Sequence, residues 1–142
     1  MGYPADIIAA GIESTDFVPG RYELINEGQD FAVLVDYAHT PDALANVLDD
    51  ARAMGAKRVI TVFGCGGSRD RGKRPLMGKI AHDKSDIVFV TSDNPRTENP
   101  DVVIDDIVSG FSKEVRSPSE YSLQILSKYS LQILSPNTLE IL

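Results

Sequence analysis

Three apolar runs in this chain each end in a cluster of residues equipped for chemistry. Ile87-Val88-Phe89-Val90 leads to Asp93-Asn94-Pro95-Arg96, where a proline-stiffened turn sets an amide beside a guanidinium. That pairing suits an amino acid. Arg forks onto a carboxylate in two parallel hydrogen bonds, while Asn and Asp can meet ammonium or amide groups. Taken alone, the same tetrapeptide is also an ordinary Asx-turn locked by proline. Phe31 to Val35 leads to Asp36-Tyr37-Ala38-His39-Thr40-Pro41. There a carboxylate can accept from ribose hydroxyls and a histidine can meet a phosphate; equally, Asp36 can order the turn and His39 can sit in solvent. Val59 to Phe63 leads to Gly64-Cys65-Gly66-Gly67-Ser68-Arg69. Its glycines admit a ligand close to the backbone and Arg69 offers a second carboxylate fork, the alternative being a solvated basic loop with turn glycines. The coincidence of all three clusters at strand ends describes a ligand site along one edge of a parallel sheet.

Several other chemistries are excluded. Gly67-Ser68-Arg69-Asp70-Arg71-Gly72-Lys73-Arg74 follows the phosphate-loop pattern up to its last position, where Arg74 stands in place of the Ser or Thr that ligates magnesium. Cys65 is the only cysteine, which rules out an intrachain disulfide and fits a reducing compartment. It has no Cys or His at metal-ligand spacing, so it reads as a small residue in a tight turn rather than a nucleophile, and no metal ligands are assigned. The net charge of −7 argues against a nucleic-acid partner, because phosphate backbones reward a clustered positive surface. Arg69, Arg71, Lys73 and Arg74 do crowd one loop, which suits a small anionic ligand. No stretch approaches membrane-spanning length and no leader pattern opens the chain, so no membrane partner is expected and the setting reads as cytoplasmic, or plastid in a photosynthetic eukaryote.

The elements that must position these loops alternate. Pro4 to Glu13 reads as a short helix, broken by Pro19-Gly20, with Arg21 just before a strand at Tyr22 to Ile25. After the Phe31–Val35 strand, Thr40 is a plausible N-cap, Pro41 a pre-organised first helical residue, and Gly55 a stop. Pro75 to Asp83 reads as a second such helix, Asp86 to Thr91 as a strand, and Asn99-Pro100-Asp101 as the start of a further helix. Strand and helix in alternation predict an α/β fold, a Rossmann-like doubly wound and mostly parallel sheet. The sheet is expected to be truncated at its C-terminal end, because the pattern changes after about Lys113. Glu120 to Ser127 is repeated by Lys128 to Ser135 with seven of eight positions identical. Two copies are too few for a solenoid, and this tail is expected to be foreign to the domain, poorly ordered and outside the sheet, with a pair of added β-strands as the alternative.

The motifs Val35 to Asp42, Val62 to Gly67, Gly72 to Gly78 and Ser92 to Thr97, in that order, resemble the Mur ligase family, and within it the branch that adds diaminopimelate. The resemblance covers roughly residues 3 to 112. It implies residues 1–18 as the end of a central ATPase domain, 19–112 as a partial Rossmann-like C-terminal domain, and 113–142 as a tail outside the family. It implies ATP-dependent amide-bond formation in peptidoglycan precursor synthesis, in which a D-glutamate side carboxylate is phosphorylated and the diaminopimelate amine attacks the acyl phosphate. The small-molecule partners implied are ATP with Mg2+, diaminopimelate and a UDP-muramoyl dipeptide. Arg21, Asp36 and His39 are implied as nucleotide contacts, and Arg69, Asp93, Asn94, Pro95 and Arg96 as diaminopimelate contacts. No residue here is implied as catalytic. The family's phosphate loop and magnesium ligands belong to the central domain, and its Gly-Lys-Gly-His-Glu motif, expected after residue 112, is replaced by the repeat. The chain is therefore expected to be one wall of an active site and inactive alone. A non-catalytic nucleotide-binding remnant and a lysine-adding sibling are the alternatives.

Overall fold

A computed structural model describes residues 2–15, 17–111, 123–126 and 139–141. Helix α1 (Ala5–Glu13) comes first and buries none of its residues. Strand β1 (Glu23–Ile25) then pairs antiparallel with β2 (Ala32–Val35). Helix α2 (Pro41–Ala53) starts where the side chain of Thr40 accepts the Ala43 amide, with Pro41 supplying a preset first-turn φ. It stops before Gly55, whose φ of 90° places it in the left-handed region that glycine enters without penalty. Strand β3 (Val59–Phe63), helix α3 (Lys73–Lys84), strand β4 (Ile87–Thr91) and helix α4 (Pro100–Val108) complete the alternation.

The α/β class and the parallel sheet are as the sequence predicts. β3 and β4 run parallel with Ile60 opposite Ile87 and Phe63 opposite Val90. Helix α3 begins two residues earlier than the proline suggests. Pro75 stands in its first turn, where a missing N–H costs nothing because that donor has no intrahelical acceptor.

The tail behaves otherwise than expected. Strand β5 (Leu123–Leu126), cut from the first octapeptide copy, pairs parallel with β4, Val88 opposite Leu123 and Thr91 opposite Leu126. Strand β6 (Leu139–Ile141) lies parallel between β2 and β3, with Leu139 opposite both Ala32 and Val59. The sheet order is β1-β2-β6-β3-β4-β5. The expectation that the tail stays outside the sheet is therefore corrected for these two segments; the second octapeptide copy lies outside the described residues. The correction has a simple cause: an open strand edge takes its partner by backbone hydrogen bonding, which sequence periodicity does not report.

Helix α3 lies between α2 and α4, and the three pack as one layer on the sheet. Leu34, Leu44, Leu48, Val59, Met77, Val88, Val90 and Ile107 form the core between the layers. Gly78 is where α3 and α4 touch. A Cβ there would stand 2.0 Å from the Ile107 carbonyl oxygen, so no larger residue fits without moving backbone. The carboxyl ends of β2, β3 and β4 all open on the same edge of this sandwich.

Candidate functional site

A cleft of about 370 Å³ opens at that edge, lined by Asp36, Tyr37, His39, Thr61, Phe63, Gly64, Ser92 and Asp93 among others. Loops after all three strands contribute, as expected for a ligand site outside the carboxyl ends of a parallel sheet.

On its β2 side, Asp36 accepts the Tyr22 amide at 2.8 Å, and Tyr22 holds a φ of 48°. Asp36 thus orders the turn that carries Arg21. The Arg21 guanidinium lies 4.5 Å over the Tyr37 ring, and the His39 ring stands 4.7 Å from the same ring. His39 Nδ1 is 3.0 Å from the Tyr37 carbonyl oxygen. A carbonyl only accepts, so Nδ1 carries the proton in that contact and Nε2 is the nitrogen left for a ligand. The residues singled out as nucleotide contacts are brought together, and Tyr37, which sequence reasoning passed over, is the side chain that joins two of them.

On the β3–β4 side, two loops are stitched face to face. The Gly67 amide donates to the Asn94 carbonyl at 2.8 Å, and Arg96 Nη1 donates to the Gly67 carbonyl at 2.5 Å. The Asn94 side chain accepts the Arg96 amide at 3.3 Å, which closes the Asx-turn. A Cβ on Gly67 would stand 1.8 Å from the Pro95 carbonyl oxygen, so the approach requires glycine. Ser68 and Arg96, which face each other across this seam, both have positive φ, at 52° and 51°. Non-glycine residues are held there only when their surroundings over-determine them.

The surroundings that do so centre on Arg74. Its side chain is fully buried. It donates to both carboxylate oxygens of Glu98 at 2.8 and 2.9 Å, and to Asp106 at 2.8 Å. Glu98 also accepts the Ser68 amide, and Asp106 accepts a two-pronged contact from Arg71. These bonds keep the Arg74 guanidinium charged, hold Glu98 down at about 2, and hold Asp106 below the usual carboxylate range.

The basic loop is thus sorted. Arg71 and Arg74 are neutralised internally, Lys73 donates to the His39 carbonyl at 2.6 Å, and Arg69 is exposed with no hydrogen-bond or ionic partner among the described residues. Arg69 is free to meet a ligand. Sequence reasoning counted Arg74 in a basic cluster suited to a small anionic ligand, and only its distant partners, Glu98 and Asp106, reveal its burial. Asp93 lines the same cleft as Asp36 and His39, whereas Asn94, Pro95 and Arg96 stand at the Gly67 seam. Cys65 is buried, its Sγ 3.8 Å from Met77 Sδ, and burial pushes its thiol up, so it packs rather than reacts. Among the described residues no three His, Cys, Asp or Glu side chains are placed to hold a metal, and no helix is long and apolar enough to cross a membrane.

A parallel sheet whose strand ends carry these loops defines a ligand-binding α/β domain, and the family comparison says of which kind. The model of the "Mur ligase, glutamate ligase domain" matches residues 20–137, so this chain belongs to that family. The match extends past residue 112, where the sequence reading ended the resemblance. Over 116 residues the chain is 53% identical to UDP-N-acetylmuramoyl-L-alanyl-D-glutamate--2,6-diaminopimelate ligase of Syntrophomonas wolfei, covering 82% of this chain and 24% of that protein. A solved structure of a ligase of the same description superposes with a TM-score of 0.71 at 33% identity, covering 99% of this chain and 29% of the other. E. coli FolC in complex with ADP shares the fold, with a TM-score of 0.58 at 16% identity over 99% of this chain and 32% of its own. The chain spans about a quarter of the length of the relative it matches.

Proposed function

We propose that this chain forms the nucleotide- and acceptor-contacting wall of an ATP-dependent ligase. That ligase joins meso-diaminopimelate to UDP-N-acetylmuramoyl-L-alanyl-D-glutamate. The observation that carries the reading is the seam at Gly67. It holds Arg96 rigidly beside Asn94 on one strand end while leaving the Arg69 guanidinium unpaired on the next. Diaminopimelate brings two carboxylates and two ammonium groups, and two arginines flanked by Asn94 and Asp93 offer a partner for each kind. ATP would enter the cleft on the β2 side. There Asp36 would offer an oxygen to a ribose hydroxyl and Arg21 and His39 would meet the phosphates, with Tyr37 packed against both. ATP would supply the phosphoryl group that activates the D-glutamate carboxylate, releasing ADP, and magnesium held elsewhere in the ligase would offset the charge of its phosphates. The described residues orient and exclude water; they supply no metal donor set.

The test is Arg96→Lys in the full-length ligase. It keeps the charge and loses the fork, so acceptor affinity should fall about tenfold while ATP affinity changes little. Equal weakening of both ligands would assign the turn a structural role, and no change in either would remove Arg96 from the site. A lysine-adding ligase would be distinguished by preferring an acceptor without the distal carboxylate. Arg74 in place of a magnesium-ligating Ser or Thr favours a second reading for the 142 residues alone, a binding module without turnover. Saturable ATP binding with phosphate release at background is the expected result for that polypeptide.

A further inference from the structure

The Arg74 cluster is a polar core placed where one would expect apolar packing. Arg74 projects from the first turn of α3 and reaches three other segments at four points. They are the Gly66 carbonyl after β3, the Ser68 amide by way of Glu98, the loop after β4, and Asp106 on α4. Arg69 follows Ser68 directly, and Arg96 precedes Glu98 by two residues. The two candidate acceptor-binding arginines therefore sit on loops that one guanidinium and one carboxylate help to hold against each other. Neither loop is held by a regular ladder there. The bonds across the seam are the Gly67–Asn94 and Arg96–Gly67 contacts, the Ser68–Thr97 hydroxyl pair at 2.8 Å, and the Glu98 contacts.

We propose that Arg74, acting through Glu98, is the positioning residue for acceptor recognition: it fixes the Arg69 and Arg96 loops against each other before the amino acid arrives. This deepens the reading of the site given above and rests on it. The chemistry favours the assignment. A ligand held by two guanidinium groups needs them at a fixed separation, and long arginine side chains on two independent loops would otherwise lose much of the gain in ordering entropy. The positive φ of both Ser68 and Arg96 points the same way. These backbones are held in a sparsely populated conformation, and the Glu98 bond to the Ser68 amide is one of the contacts that keeps them there. Arg71 adds a second anchor by fixing Asp106 from the solvent side, so the cluster carries two positive and two negative charges and no net charge.

Glu98→Gln and Glu98→Ala test the assignment. The glutamine keeps an acceptor for the Ser68 amide and one bond to Arg74; the alanine keeps neither. In the 142-residue chain, hydrogen exchange at the Gly67 and Ser68 amides should speed up in the order wild type, Gln, Ala. In the full-length ligase the acceptor KM should rise in the same order, about tenfold for alanine, with the ATP KM within about twofold of wild type. If the alanine variant does not fold, the glutamine variant decides. Equal rises in both KM values, or no change in acceptor KM, would overturn the inference. Arg96→Lys is run alongside. Should it weaken the acceptor while the Glu98 variants do not, positioning by Arg74 fails alone. Should Arg96→Lys also be silent, the acceptor site itself is misplaced.

Discussion

Glu98 sits between the Arg74 guanidinium and the Ser68 amide, and those bonds hold its pKa at about 2 against an ordinary 4.5. In the folded chain it stays ionised well into acid, whereas the unfolded carboxyl takes up its proton near the ordinary value. The unfolded state thus binds more protons between the two, and the contribution of Glu98 is complete above the ordinary value and is lost as pH falls through about 2. Asp106 adds in the same direction. A series of urea midpoints should fall as the pH drops from 5 toward 2, both values chosen around the carboxylate range (roughly 2 to 5). Glu98→Gln should flatten that fall. A slope unchanged by the substitution would show that Glu98 is not the titrating group. The same residues mark what sequence could convey. That Arg69 and Arg96 stand in loops after strands was legible because strand end and turn lie next to each other along the chain. Arg74 was not, because its burial depends on carboxylates 24 and 32 positions away.

At the scale of elements, helix starts were legible wherever a side chain caps them locally, as Thr40 and Asn99 do by accepting amides of their own first turns. Packing distances were not. Gly78 looks unremarkable inside a helical pattern, yet it sets how closely α3 and α4 approach. Two effects compete when it becomes alanine. Helix propensity favours alanine over glycine by about 0.8–1 kcal/mol. Against that, the new methyl would meet the Ile107 carbonyl, and overpacking of this kind costs about 1–3 kcal/mol. Because the obstructing atom is backbone, the second effect should win. Gly78→Ala should therefore lower the thermal midpoint, measurable by circular dichroism. A midpoint that rises would mean that α4 yields freely. The loops after β3 and β4 hang from these two helices through Arg74 and Asp106, so a shifted α4 should also loosen the seam.

At the scale of the whole molecule, β5 and β6 are part of the sheet, where the repeat had suggested an appendage. Parallel strands carry weak individual signatures, and the order in which they insert is decided by crossover connections, not by residue pattern. That order matters for synthesis. β6, the last strand along these 142 residues, occupies a central slot, so β2 and β3 face each other across a gap until residue 141 has been made. The nascent domain would leave the ribosome as two half-sheets, each with an unsatisfied inner edge suited to chaperone capture or to pairing with another chain. Deleting residues 137–142 should reproduce that state: amides of Ala32 to Val35 and Val59 to Thr61 should lose exchange protection while the Phe63–Val90 side keeps it. Uniform protection in the deletion variant would mean that β2 and β3 can close on each other. The edge that carries the candidate site is thus completed only when β6, distant in sequence from β2 and β3, has been added between them.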